Sequence, residues 1–211
     1  MSGVVLVARD VAEYPCQVVL LDAAGRPLRT YWHSGHLNLS AVADMDRDGR
    51  QELWLGGIAN AYRQATVVVL DPETMAGASR EEKAGFQLAD LGAPREKARL
   101  PLYRTELSRS FAPFNRVTEM RAQGDRMVVT TREQTSGRAP DGSIVYMFGL
   151  GGDLTGASFA SHSISEYQAR VAGKMLDPGA YTRDEARLRE VRWLKRWDEP
   201  RVPARAPAAV R

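Results

Sequence analysis

The sequence is poor in cysteine: Cys16 is its single thiol in 211 residues. A disulfide within the chain is therefore excluded, and a thiolate-based zinc site is disfavoured. Cys16 stands beside Gln17-Val18-Val19-Leu20, where it reads as a small apolar side chain in a buried strand. No apolar run approaches the roughly 20 residues of a membrane-spanning helix. No basic segment precedes an apolar one at the N-terminus, so no signal peptide is expected in the chain as written. Net charge is also scarce, at +3 with a pI near 9.2. A nucleic-acid binder concentrates such charge in a dense basic stripe, so no nucleic-acid partner is expected.

The common catalytic and nucleotide-binding signatures are missing. Gly149-Leu150-Gly151-Gly152-Asp153-Leu154 has leucine where a dinucleotide fingerprint needs its third glycine. There is no Gly-x-Ser-x-Gly nucleophile elbow and no Gly-Lys-Ser/Thr phosphate loop. His33 and His36 are three residues apart, but no third ligand stands near them in sequence and His162 is remote. Their expected place is a turn or strand end, because zinc sites need three or four converging ligands. Glu106 and Glu119 are a candidate catalytic carboxylate pair, with plain surface acidity as the simpler reading.

What the sequence does have is β-strand patterning and a real core, with 44% hydrophobic residues. Strands are expected near Gly3–Ala8, Cys16–Leu21, Leu28–Trp32, Leu39–Ala43, Glu52–Ile58 and Ala65–Leu70. Residues 72–98 read as a long polar loop holding a short strand at Phe86-Gln87-Leu88. Arg99–Leu107, Pro113–Met120, Arg126–Thr131 and Ser143–Phe148 continue the pattern, joined by turn residues such as Gln123-Gly124-Asp125. The C-terminal part changes character. Ser163–Glu166 and Thr182–Glu185 are capping boxes, and Leu188, Val191 and Leu194 mark an apolar helical stripe among arginines. That stripe predicts a helix docked on the sheet; display toward an acidic partner or membrane surface is the alternative.

The chemical centre of the sequence is Asp44-Met45-Asp46-Arg47-Asp48-Gly49-Arg50-Gln51-Glu52. Three carboxylates at alternate positions repel one another unless they are solvated or hold a cation. Hard cations take oxygen ligands, and Ca²⁺ accepts about six to eight in a flexible shell. Gly49 lets the chain turn left-handed and wrap an ion. The expected ligands are the carboxylates of Asp44, Asp46, Asp48 and Glu52 and the carbonyl of Arg50. An EF-hand needs a bidentate glutamate at its twelfth position, and Leu55 stands there. The alternative for these residues is an acidic β-turn without an ion, since Asp and Gly are ordinary turn residues.

The loop Asp44-x-Asp46-x-Asp48-Gly49-x-x-Glu52-Leu53, closed between strands, resembles the calcium loop of FG-GAP/VCBS-type repeats, the integrin α-like β-propellers. The resemblance covers about one blade, residues 36–72, and implies that calcium rivets a hairpin rather than taking part in chemistry. A repeat agrees with it: Val18-Val19-Leu20-Leu21-Asp22 recurs as Val67-Val68-Val69-Leu70-Asp71, 49 residues later. A period near fifty with several strands per unit is a propeller signature. In this register Met1 falls inside a blade, so the chain is expected to be the C-terminal part of a longer protein carrying further blades.

The expected fold is mainly β: antiparallel blade-like sheets of a partial β-propeller, with one or two C-terminal α-helices. Residues 1–158 would form the β region, 159–197 a helical appendage and 198–211 a disordered tail. The expected function is that of a non-enzymatic, calcium-stabilised module, a scaffold or a domain that meets a protein or carbohydrate partner. The alternatives are part of a polysaccharide-degrading enzyme or the sensor part of a larger regulatory protein. The compartment would be extracytoplasmic or membrane-anchored if a parent chain carries a signal upstream, and otherwise cytoplasmic.

Overall fold

A computed structural model describes residues 4–9, 15–81, 85–88, 91–105, 114–134, 143–149, 154–159 and 186–188. The chain forms β1 (Val4–Arg9), β2 (Cys16–Leu21), β3 (Pro27–His33), β4 (His36–Ala43), β5 (Glu52–Ala59), β6 (Gln64–Leu70), β7 (Ala98–Pro101), β8 (Phe114–Gln123), β9 (Arg126–Gln134), β10 (Ser143–Phe148) and β11 (Leu154–Phe159). They make three antiparallel meanders taken in chain order: β1-β2-β3, then β4-β5-β6-β7, then β8-β9-β10-β11.

The middle sheet is covered on both faces, which explains its continuous apolar runs. A strand with one wet face alternates, whereas one buried twice does not. Leu53, Leu55, Val68 and Leu70 pack with Cys16, Val18, Leu20 and Tyr31 of the first sheet. Their neighbours Trp54, Ala65, Val67 and Val69 point the other way and pack with Val117, Met127, Val129, Tyr146 and Phe148 of the third. Burying a large apolar side chain contributes about 1.5–3 kcal/mol, so these two clusters carry the fold. Close approach is enforced at Gly56, where a Cβ would come within 2.9 Å of the Val117 side chain.

The 49-residue repeat maps onto this arrangement only in part. β1 and β2 fall on β5 and β6, but the same shift puts β3 on residues 76–82 rather than on β7. That segment instead laces itself to β3. The Trp32 N–H donates to the Gly77 carbonyl at 2.9 Å, and the Ser79 N–H to the Trp32 carbonyl at 2.9 Å. Ala78 thereby forms a parallel bridge with Trp32. The chain then returns to β6, where the Lys97 N–H donates to the Val69 carbonyl at 2.9 Å and β7 begins.

The mainly β architecture agrees with the sequence reading. Four points differ or stop short. Phe86-Gln87-Leu88 is not a strand; the connection between β6 and β7 spends its pairing on Trp32 instead. β11 was not anticipated, and it extends the third sheet beyond β10. No closed propeller is formed among the described residues. Of the expected C-terminal helices, only 186–188 lies among the described residues, where it is helical and inserts Leu188 into the core beside the third sheet. Both capping boxes, Val191, Leu194 and 198–211 lie outside the described residues. No helix of the described residues is long and apolar enough to cross a membrane.

Candidate metal centre

The acidic loop joins β4 to β5, two paired strands whose last partners are Ala43 and Glu52. Its shape comes from carboxylates accepting from backbone N–H groups. Asp44 Oδ2 accepts from Gly49 N at 3.0 Å, Asp46 Oδ1 from Asp48 N at 3.2 Å and Asp48 Oδ1 from Arg50 N at 2.8 Å. Gly49 takes φ +84° and Arg47 φ +58°, so the chain twice enters the left-handed region while wrapping the acids. One oxygen from each of Asp44, Asp46 and Asp48 then lies within 4.8 Å of the others. Among the described residues this is the group that could hold a metal ion.

The other two predicted ligands are engaged differently. Glu52 is fully buried and turned inward. Its Oε2 accepts from Met45 N at 3.0 Å, and its Oε1 from Lys97 Nζ at 2.6 Å. Lys97 also donates to Asp46 Oδ2 at 2.7 Å and stands 3.7 Å from Asp48 Oδ2. Arg50 contributes its guanidinium, which lies 2.8 Å from Asp48, 3.4 Å from Glu73 and 3.8 Å from Asp71. The four carboxylates of the loop thus already have two cations, Lys97 and Arg50, among their contacts. Lys97 escaped the sequence reading because it approaches from the start of β7, 45 residues beyond Glu52. The signal that would have found it is a single lysine leading the alternation at Ala98–Pro101.

These contacts shift the ionisations. The Arg50 side chain hydrogen bond and N–H hold the Asp48 carboxyl down at about 2. Burial pushes Glu52 up from its ordinary value, against the pull of Lys97 and the Met45 N–H. Burial opposes the Lys97 charge, but its bonds to Asp46 and Glu52 outweigh this and raise its pKa.

The donor set fits a hard cation. All the converging atoms are oxygens, and Asp44 Oδ1 is a buried polar atom with no hydrogen-bond partner. A buried oxygen left in that condition is costly unless an ion or donor completes it.

The remaining candidates do not assemble. His33 closes β3 and His36 opens β4, as strand-end residues. His33 is fully buried with neither ring nitrogen hydrogen-bonded, and burial, with Arg99 and His36 nearby, lowers its pKa to about 3. Cys16 is buried and forms no disulfide. Glu119 is exposed on β8, while Glu106 and His162 lie outside the described residues.

Fold and site together define a mainly β protein of stacked antiparallel meanders with an acidic strand-to-strand loop. No family model, no curated protein and no solved structure matches the chain.

Proposed function

We propose that this chain is a calcium-binding, non-enzymatic β-propeller repeat module that serves as a scaffold or as a protein or carbohydrate interaction domain. The observation that carries the reading is the convergence of Asp44, Asp46 and Asp48 within 4.8 Å, in a loop whose Asp44 Oδ1 has no partner. The three successive meanders, with the middle one packed on both faces, support the blade reading. Asp44, Asp46 and Asp48 would hold the ion, with the Arg50 carbonyl and Glu52 as the further ligands that the loop spacing implies. Calcium here supplies charge neutralisation and cross-linking, and no chemistry. A divalent ion competes with the Lys97 ammonium for Asp46 and Glu52. Calorimetric titration with Ca²⁺, wild type against Asp46→Ala, tests the reading. It fails if the wild type shows neither heat nor thermal stabilisation.

A second reading rests on Lys97 itself. Its ammonium sits 2.6 Å from Glu52 and 2.7 Å from Asp46, so the loop already contains a cation. In that case the loop is an ion-free electrostatic clasp between β5 and β7. The same titration separates the two readings.

A further inference from the structure

We propose that the hollow between the first and middle sheets, beside the 44–52 loop, docks a peptide carrying an aliphatic and a cationic side chain on one face. This names a partner chemistry for the interaction module proposed above and rests on that reading. The hollow has a volume of about 480 Å³. Small-ligand sites run from about 300 to 1,000 Å³, so it admits a few side chains and not a folded domain.

Its floor is Leu20 of β2 and Leu53 of β5, which belong to the apolar cluster joining the two sheets. That cluster is open at this end. Leu28 of β3 and Val42 of β4 stand on its walls, 46% and 53% exposed. They are two of the four large apolar side chains exposed among the described residues, and they come from different sheets onto one hollow. A single exposed leucine is ordinary, whereas two converging over an apolar floor mark a contact surface. Leu28 is also the extra residue of a β-bulge, since Leu20 pairs with Arg29 and Leu21 with Pro27. Bulges re-aim side chains at the ends of pairings, as here.

The rim supplies the charge. It carries the carboxylates of Asp71 and Glu73 against one guanidinium, that of Arg50. Arg50 is already spent on Asp48, to which it donates from Nε at 3.2 Å and from Nη2 at 2.8 Å. Its other contacts are longer, 3.4 Å to Glu73 and 3.8 Å to Asp71. Glu73 keeps about half of its side chain exposed, and Arg50 is its only ion-pair partner among the described residues. The rim is thus short of positive charge. A ligand guanidinium meets Glu73 with the bidentate geometry that Arg50, committed to Asp48, does not offer it. Apolar walls and acidic rim line the same hollow, so the two ligand groups must lie close together. Side chains two apart in an extended peptide share a face and meet that requirement. A second copy of the chain fits poorly, because a two-fold contact sets hollow against hollow and fills neither.

The test titrates the isotope-labelled full chain with acetyl-Ala-Leu-Ala-Arg-Ala-amide in chelator-treated, low-salt buffer and follows the backbone amide signals. Saturable shifts at Leu28, Val42 and Glu73 are expected, with binding that weakens as salt is added. Replacing the peptide's arginine by glutamate, or its leucine by serine, is expected to weaken binding about tenfold or more. Leu28→Ser and Glu73→Gln each lower the affinity about fivefold or more. Both positions are exposed, so both variants stay folded, and their melting temperatures verify it. The proposal is overturned if the peptide does not bind, if either control peptide binds equally, or if both folded variants bind as the wild type does. A dimer that Leu28→Ser dissociates would assign the hollow to a second copy and also overturn it. With no metal present, failure here leaves the calcium titration, and the reading it tests, untouched.

Discussion

The Lys97 ammonium donates to Glu52 Oε1 at 2.6 Å, tying the first residue of β5 to the entry of β7. Glu52 is buried, and its other oxygen is taken by Met45 N. Removing one partner of a buried pair strands the other charge, which costs several kcal/mol where burial is complete. Lys97 keeps about a fifth of its side chain exposed, which reduces the penalty. Lys97→Met is therefore expected to lose about 2–3 kcal/mol in metal-free buffer. Urea denaturation with and without Ca²⁺ checks this. If the loop binds calcium, the variant gains more from the ion than the wild type, because the competing ammonium is gone. A variant as stable as wild type without metal would show the clasp to be immaterial.

Acid stability has a separate origin in His33. Its folded-state pKa of about 3 lies below the ordinary 6.5, because the ring is buried and faces Arg99 and His36. Between those two values the unfolded chain binds a proton that the folded chain refuses. Stability from this group is thus intact above about pH 6.5 and falls as the pH drops toward 3, at most about 1.4 kcal/mol per pH unit. Raised Lys97 works at the other end: its contribution is full below pH 10.5 and is lost as the pH rises through its higher folded value. Urea midpoints for wild type and His33→Phe at pH 7, 5 and 4 isolate the first effect. The variant's stability is expected to fall less steeply with acid; parallel profiles would remove His33 as the cause.

Two glycines separate strain from collision. At Gly49, φ is +84° and a Cβ would meet nothing within 4 Å. Gly49→Ala is then expected to lose about 1–2 kcal/mol, the cost of a left-handed residue. At Gly57 a Cβ would lie 1.8 Å from the His36 carbonyl oxygen, inside the β4–β5 pairing. Backbone cannot step aside without breaking the ladder, so Gly57→Ala is expected to lose more than about 3 kcal/mol or to prevent folding. Thermal melts of both variants give the order directly. A reversed order would mean that the pairing at Leu37–Gly57 is not what the architecture depends on.

The legible parts of this protein were those coded locally. β2 and β4 to β6 follow from apolar patterning, and the loop from its Asp-x-Asp-x-Asp-Gly spacing. What escaped was encoded at a distance. Lys97 is one lysine among many until β7 lies beside β6. β11 carries Thr155-Gly156-Ala157-Ser158, which resembles loop composition. Its glycine has a packing reason that sequence alone hides: a Cβ on Gly156 would come within 2.7 Å of the Met147 methyl. The parallel bridge of Ala78 to Trp32 likewise has no local signature, since it rests on backbone groups that any residue carries.

The C-terminal region supplies the last prediction. Leu188 is 5% exposed and belongs to the cluster that holds Trp54, Tyr146 and Phe148. Its neighbours Ala186 and Arg187 are exposed, so one side of this turn faces the core and the other solvent. Leu188 itself is therefore docked in the core. Leu188→Ala removes methyl groups from a packed site and is expected to cost about 2–4 kcal/mol, whereas Arg187→Ala, at an exposed position, should cost clearly less. Deleting 182–211 should cost at least as much as Leu188→Ala, because it removes the same side chain. Urea denaturation of the three variants provides the comparison. A deletion that leaves the midpoint unchanged would detach this region from the core and return its arginines to the role of a displayed surface.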